Sequence, residues 1–147
     1  MEMTVKRFYE LTLDELYEII KERMQVFCVE QNIPYQDLDE IDKDAYHVFL
    51  WENGIILGYL RVYSLDEKTA KIGRVITTVR GKGYGEAVLK QGIKTAFETM
   101  GKSEILVHSQ SYCTGFYAKC GFEIFGEEFV EEKILHRYMR LEHERSN

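Results

Sequence analysis

The sequence is short of cysteine, of proline and of net positive charge. Its three cysteines include no CxxC pair, which disfavours a disulfide framework or a structural zinc site and favours buried free thiols. The net charge of −6 leaves no basic face for general nucleic-acid binding. No apolar run is long enough to span a membrane, and the N-terminus has no secretory apolar core. We therefore expect no metal, no nucleic-acid or membrane partner, and a cytoplasmic location.

The chain nevertheless has enough apolar material for a folded core. Its 147 residues are 45% hydrophobic and 13% aromatic, with a single proline. This composition favours a compact protein over a disordered one, and the length suits one domain. We expect a single domain over residues 1–147, with its core at about residues 4–141.

Hydrophobic periodicity predicts a mixed α/β class with one central sheet. Thr12 is a predicted helix N-cap, and Asn53-Gly54 between two apolar runs predicts a β-hairpin. The predicted helices cover residues 13–29, 86–100 and 111–119. The predicted strands cover residues 4–10, 47–51, 55–63, 70–77, 105–108, 122–125 and 133–141.

Residues 30–44 predict a loop, with one helical turn at most. They contain Pro34 and five acidic residues, namely Asp37, Asp39, Glu40, Asp42 and Asp44. A solvated acidic surface is the ordinary interpretation of such a run. Two others stay open: attraction of a cationic acceptor such as a polyamine, an aminoglycoside or a lysine side chain, and ion pairing with Arg23 and Arg74.

Residues 73–85 form the most informative segment. A β-branched run leads into a loop with glycine at every second position, and a helical pattern follows at once. Such a loop exposes backbone N–H groups at a helix N-terminus, where they bind phosphate. Glycine lets the backbone approach a ligand closely, and Arg80 and Lys82 add cationic donors. The segment therefore predicts a phosphorylated ligand.

Two common nucleotide motifs do not fit this loop. A Walker A motif needs Ser or Thr after its Gly-Lys pair, but Gly83 follows Lys82. A dinucleotide fingerprint needs a third glycine where Glu86 stands. The short turns between the preceding strands also predict antiparallel pairing, which a βαβ nucleotide unit does not have.

Arg80-Gly81-Lys82-Gly83-Tyr84-Gly85 instead resembles the loop with which the GNAT family of N-acetyltransferases holds the pyrophosphate of acetyl-coenzyme A. Downstream, residues 115–122 resemble the Phe-Tyr-x-x-x-Gly-Phe segment of that family. The resemblance implies the acyl-CoA N-acyltransferase fold, a central, mostly antiparallel sheet flanked by helices, with acetyl-coenzyme A as co-substrate. Further positions resemble the ElaA-like branch: Arg23, Val26-Phe27, Glu30-Gln31, Pro34-Tyr35, Asp39, His47 and residues 129–136.

The resemblance also implies site residues. The coenzyme-binding candidates are Val75, Ile76, Thr77, Arg80, Gly81, Lys82, Gly83, Tyr84, Gly85, Gln110 and Tyr117. Val75 and Thr77 would act through their backbone, and Gln110 stands where many relatives have an asparagine. Tyr117 matches the tyrosine that the family places near the coenzyme sulfur, so the resemblance implies that it is the general acid. A phenol with a pKa of about 10 suits the protonation of a thiolate. The alternative is that Tyr117 is a core aromatic residue.

The general base is not assigned by the resemblance. Several relatives carry a catalytic glutamate where this chain has Gly73, and the segment 74–80 looks about two residues shorter than in the family pattern. His136 is the leading candidate, with His47, His108 and Glu30 or a water relay as alternatives.

Three functions follow, in descending order of support. The first is an acetyl-coenzyme A-dependent N-acetyltransferase in which a primary amine of a small molecule attacks the thioester directly. The second is a non-catalytic acyl-coenzyme A sensor or interaction module on the same fold. The third is a structural dimerisation domain, and a homodimer is also possible for the enzyme.

Overall fold

The computed structural model describes residues 1–31 and 36–144, and seven strands in these ranges form one sheet. They are β1 (Glu2–Arg7), β2 (Tyr46–Glu52), β3 (Ile55–Ser64), β4 (Thr69–Thr77), β5 (Glu104–Gln110), β6 (Glu123–Glu131) and β7 (Ile134–Glu142). The spatial order is β1-β2-β3-β4-β5-β7-β6. Every neighbouring pair is antiparallel except β4 and β5, which are parallel. The predicted mixed α/β class with a mostly antiparallel sheet is confirmed.

The helices follow the predicted order. They are α1 (Leu13–Met24), α2 (Ile41–Asp44), α3 (Tyr84–Lys94) and α4 (Thr114–Ala118). Thr12 caps α1 as predicted, because its hydroxyl accepts the Glu15 N–H at 3.1 Å while the Glu15 carboxylate accepts the Thr12 N–H at 2.8 Å. Turns of π-helix, Gln25–Glu30 and Thr95–Thr99, extend α1 and α3. Among the helices of the described ranges, none has the length and apolar character needed to cross a membrane.

The core lies on both faces of the central strands. Ile19 of α1 packs with Phe49 and Tyr59 on one face, and Val88 and Leu89 of α3 pack into the larger cluster on the other. Because successive side chains of a strand point to opposite faces, two helical layers bury nearly all of β2 and β3. Each fully buried aliphatic side chain contributes about 1.5–3 kcal/mol to this packing.

The hairpin predicted at Asn53-Gly54 is confirmed. Asn53 has φ 50° and Gly54 has φ 77°, the left-handed pair that a two-residue type I′ turn requires. The turn joins β2 and β3, which pair from Tyr46 with Val62 to Glu52 with Ile55.

Two predicted strands differ from the structure in their bounds. β1 ends at Arg7 instead of continuing to Glu10, because the Glu10 carboxylate accepts the Arg7 backbone N–H at 2.8 Å and turns the chain. β6 extends to Glu131, well past the predicted end at Phe125. It is an edge strand with mostly exposed or half-exposed residues, so it lacks the apolar pattern that predicts a strand. Pro34 and Tyr35 lie outside the described residues.

The sheet opens between its two parallel strands. The pairing of β4 with β5 runs only from Thr69 with Glu104 to Lys71 with Leu106, although both strands continue beyond that point. On its other edge β4 carries a bulge, since Tyr59 pairs with Ile76 but Arg61 pairs with Gly73. The two strands therefore diverge, and the gap between them becomes a cleft.

Candidate functional site

A cleft of about 790 Å³ lies where β4 and β5 diverge. It is lined by both strands, by the end of α1, by the segment around α4 and by the turn between β6 and β7. It brings together seven of the predicted site residues: Val75, Ile76, Thr77, Arg80, Gln110, Tyr117 and His136. Gly73 also lines it, and a Cβ added there would meet nothing within 4 Å.

The rest of the glycine loop lies outside the lining of the cleft. Gly81, Lys82 and Gly83 are exposed, directly after the cleft-lining Arg80. The side chain of Tyr84 packs against the core, so only its backbone remains for the predicted coenzyme contact. Gly85 is buried against Phe116, whose ring would be 3.3 Å from an added Cβ.

The loop ends in a helix N-terminus that is open to an anion. Gly83 caps α3 with φ 76°, and the first bond of the helix runs from the Ala87 N–H to the Gly83 carbonyl at 3.0 Å. The N–H groups of the first helical turn consequently have no partner within the helix, and the helix dipole adds partial positive charge there. Together with the Arg80 and Lys82 cations, this end of the site suits a pyrophosphate.

The β4 backbone beside the cleft is held in an unusual conformation. Arg74 lies in the bulge with φ 54°. Beyond Lys71, the described pairing with β5 ceases, so the cleft side of residues 75–77 is not covered by a neighbouring strand. Thr78 fixes the end of this segment, because its hydroxyl donates to the Ile56 carbonyl at 2.7 Å. The segment thus presents backbone groups to the cleft, as a pantetheine arm would need.

Tyr117 lies both in the core and on the wall of the cleft. Its ring packs edge-on against Phe116 and Phe122, and the residue is only 8% exposed. It nevertheless lines the cleft. Burial raises the pKa of Tyr117 well above its usual value, so the hydroxyl keeps its proton at neutral pH.

His136 lies in β7 with one ring nitrogen fixed. Its Nδ1 is 2.7 Å from the Ile134 carbonyl oxygen, which can only accept a hydrogen bond. Nδ1 therefore carries the proton, and Nε2 of the neutral ring has the lone pair. Nε2 is 3.8 Å from Oε2 of Glu131. This is the tautomer that a general base needs.

His108 and Glu30 also line the cleft, so both stay candidates. His108 Nδ1 lies 3.1 Å from Oε1 of Glu131 and 3.3 Å from Nζ of Lys71. Sequence reasoning missed Lys71 and Glu131. The only signal was that Glu131 falls in the segment resembling the ElaA-like branch, where no role was assigned to it.

His47 is not a base candidate, contrary to one of the predictions. Its Nδ1 is 2.7 Å from the Tyr59 hydroxyl and its Nε2 is 2.8 Å from the Asp42 carbonyl oxygen. The ring is 1% exposed and does not line the cleft. Burial lowers the pKa of His47, so it is a neutral, structural residue at pH 7.

The acidic loop is not a solvated surface as a whole. Asp37 and Asp42 are buried, and Arg23, itself 1% exposed, binds Asp37 at 2.8 Å and Asp42 at 2.7 Å. Arg74 Nε reaches Asp37 at 2.7 Å. The predicted ion pairing with Arg23 and Arg74 is therefore confirmed, and the expectation of a solvated surface is wrong for these two acids.

Arg61 is a further member of this network that the sequence reasoning missed. It binds Asp39 at 2.6 Å and Asp42 at 2.9 Å. Its signal was a lone charge within a strand of buried residues, a position that requires a partner. Because cations already neutralise Asp37, Asp39 and Asp42, these acids are not left to attract a cationic acceptor.

Comparison with known proteins agrees with this geometry. A family model described as an acetyltransferase (GNAT) domain matches residues 10–143. A UPF0039 protein of Schizosaccharomyces pombe is 35% identical over 97% of each chain. The crystal structure of Escherichia coli ElaA has a TM-score of 0.90 at 30% identity, covering 97% of this chain and 100% of that one. An acyl-CoA N-acyltransferase from Pseudomonas aeruginosa has a TM-score of 0.87 at 31% identity, covering 95% and 99%.

Proposed function

Because this chain belongs to the acetyltransferase (GNAT) family and to its ElaA-like branch, we propose that it transfers an acetyl group from acetyl-coenzyme A to a primary amine of a small molecule. The observation that carries the proposal is that an anion-binding helix N-terminus lies beside the cleft. The open N-terminus of α3 with its cations lies directly after the diverging end of β4, and the cleft begins there. A ligand with a pyrophosphate at one end and a reactive group at the other fits this arrangement.

Different residues of the chain bind different parts of the coenzyme. The first turn of α3, with Arg80 and Lys82, binds the pyrophosphate. The backbone of residues 75–77 holds the pantetheine arm, and Gln110 contributes a side-chain amide from the opposite strand. Backbone N–H groups facing the cleft stabilise negative charge on the carbonyl oxygen as the amine attacks.

His136 and Tyr117 transfer the protons of the reaction. When bound, acetyl-coenzyme A supplies the electrophilic thioester. His136 accepts the proton of the amine at Nε2, which the Ile134 carbonyl keeps unprotonated in the neutral ring. Tyr117 gives its hydroxyl proton to the leaving sulfur.

A thermal-shift titration with acetyl-coenzyme A tests the binding step. A ligand of the native state must raise the melting temperature, so no shift at concentrations well above the micromolar range contradicts the proposal. Gly83→Val should abolish the shift, because valine at φ 76° distorts the loop that holds the pyrophosphate. Gly101→Val is the matched control, since Gly101 also has a positive φ, 69°, and open surroundings but follows the far end of α3. Both variants lose stability, and only Gly83→Val should lose the coenzyme shift.

A thiol-release assay against polyamines, aminoglycosides, amino acids and peptides tests the catalytic step. The second candidate function, a non-catalytic acyl-coenzyme A sensor, is favoured by one observation: no side chain fills the open space at Gly73. Coenzyme binding without thiol release from any amine would support the sensor. The acceptor, a homodimer and the cytoplasmic location stay predictions.

A further inference from the structure

Glu131 lies between two imidazoles on the wall of the cleft. Its Oε1 is 3.1 Å from Nδ1 of His108, and its Oε2 is 3.8 Å from Nε2 of His136. Lys71 lies beside His108, and its Nζ is 3.3 Å from the same Nδ1 atom. Four neighbouring strands, β4 to β7, thus each contribute one titratable side chain, and all four side chains line the cleft.

The gap between Glu131 and His136 has the character of a binding site for a donor. Nε2 of His136 has its lone pair free because Nδ1 donates to the Ile134 carbonyl, and a carboxylate oxygen only accepts. Two acceptors cannot form a hydrogen bond with each other, and these two lie 3.8 Å apart. They are well spaced for one nitrogen that donates to both at about 2.9 Å.

We propose that Oε2 of Glu131 and Nε2 of His136 together form the subsite that binds the ammonium group of the acceptor amine. This inference rests on the proposed function and deepens it, because it names the atoms that receive the acceptor. It also commits the acceptor to arriving as a cation. A charge-assisted pair with the carboxylate holds the ammonium, and the imidazole takes its proton.

Three proton transfers accompany the acetyl transfer. One N–H bond of the ammonium breaks, its proton moves to Nε2 of His136, and the nitrogen keeps the electron pair. That pair forms the new N–C bond while the C–S bond breaks, and the sulfur takes the proton of the Tyr117 hydroxyl. The nitrogen then loses a second proton, which passes through water to the Tyr117 oxygen. His136 finally releases its proton to solvent past Glu131, whose side chain is 44% exposed.

His108 and Lys71 support this subsite without touching the amine. The hydrogen bond from His108, the largest cause, lowers the pKa of Glu131 and keeps its carboxylate charged. The positive charge of Lys71 acts in the same direction and also lowers the pKa of Glu131.

The experiment compares Glu131→Gln with Glu132→Gln, using the amine that gives the fastest thiol release. Both variants remove one negative charge from the same cleft, but no contact joins Glu132 to either imidazole in the described residues. Glu131→Gln should lower kcat/KM for the amine about 100-fold and leave the KM for acetyl-coenzyme A within about twofold. Glu132→Gln should leave both constants within about twofold.

A double variant tests whether the two groups act as a unit. His136→Gln should lose a similar factor, and Glu131→Gln with His136→Gln should lose little more than the larger single effect. Full activity in Glu131→Gln, equal losses in Glu131→Gln and Glu132→Gln, or additive losses in the double variant would each overturn the subsite. An unmodified chain that shows the coenzyme shift but no thiol release contradicts the proposed catalysis itself, and the inference fails with it.

Discussion

At the scale of single residues, the buried charges are the least ordinary feature of the molecule. Arg23 and Arg61 are both nearly inaccessible, and Asp42 accepts hydrogen bonds from both. Removing one member of such a network leaves an uncompensated buried charge, which typically costs about 3–5 kcal/mol. The network therefore fixes the acidic loop against α1 and β3.

His47 beside this network predicts a pH dependence of stability. Burial is the main cause that lowers its pKa below the ordinary 6.5, so below that pH the unfolded chain binds a proton that the folded chain refuses. Stability should fall as the pH drops from about 6.5, by up to about 1.4 kcal/mol per pH unit. Urea unfolding at pH 7.5, 6.5 and 5.5 measures this slope.

His47→Gln should be less stable at pH 7.5 but should show a flatter slope. His143→Gln is the control for loss of an exposed imidazole, and the flatter slope should be specific to His47→Gln. An equal slope in His47→Gln and the unmodified chain would contradict the assignment.

The carboxylates of Asp39 and Asp42 affect stability at a lower pH. Their pKa values lie below the ordinary 3.8, so their contribution to stability is lost only as the pH falls below that value.

At the scale of elements, the bulge of β4 joins the charged network to the cleft. Arg74 holds a left-handed φ of 54°, which costs a non-glycine residue about 1 kcal/mol or more. Its guanidinium is tied to Asp37, which Arg23 also binds. The ion pairs thus reach from α1 through the loop to β4, whose residues 75–77 line the cleft.

This arrangement predicts an inverted order for two substitutions. Glycine in a strand ordinarily lowers stability relative to alanine, but at Arg74 only alanine retains the strained φ. Arg74→Gly should therefore be more stable than Arg74→Ala by about 0.5–1 kcal/mol in urea unfolding, although both lose the ion pair with Asp37. The ordinary order, with alanine the more stable, would show that the bulge relaxes in solution.

At the scale of the whole molecule, the sheet consists of two halves joined by a short seam. Within β1 to β4 and within β5 to β7, six or seven described residue pairs join each two neighbouring strands, but β4 and β5 share only three. A ligand that filled the cleft would contact both halves, because Arg80 follows β4, whereas Gln110 ends β5 and Tyr117 lies in α4. Coenzyme binding should therefore stabilise the open end of the seam above all.

Amide hydrogen exchange with and without acetyl-coenzyme A measures this effect. Protection should rise at residues 75–77 and in the first turn of α3, where backbone groups gain a ligand as partner. Amides of β2 and β3, already bonded within the sheet, serve as the internal reference and should change little. A uniform increase over the whole chain would indicate global stabilisation and contradict a localised site.

Local patterns in the sequence were sufficient for most of the elements and for the prediction of a coenzyme site at the glycine loop. The Thr12 cap, the Asn53-Gly54 turn and the glycine loop each depend on residues a few positions apart, so their chemistry is visible in the chain itself. The bounds of β6 were not predictable, because an exposed edge strand has no apolar pattern to reveal it.

The sequence by itself determined the class and the family resemblance, and it predicted a phosphate-binding loop. Only the tertiary structure decided which charges meet. It paired Arg61 with Asp39 and Asp42, removed His47 from the site, and placed Glu131 between His108 and His136. These contacts join residues from 5 to 23 positions apart. Such contacts depend on strand order and register, which no local pattern contains.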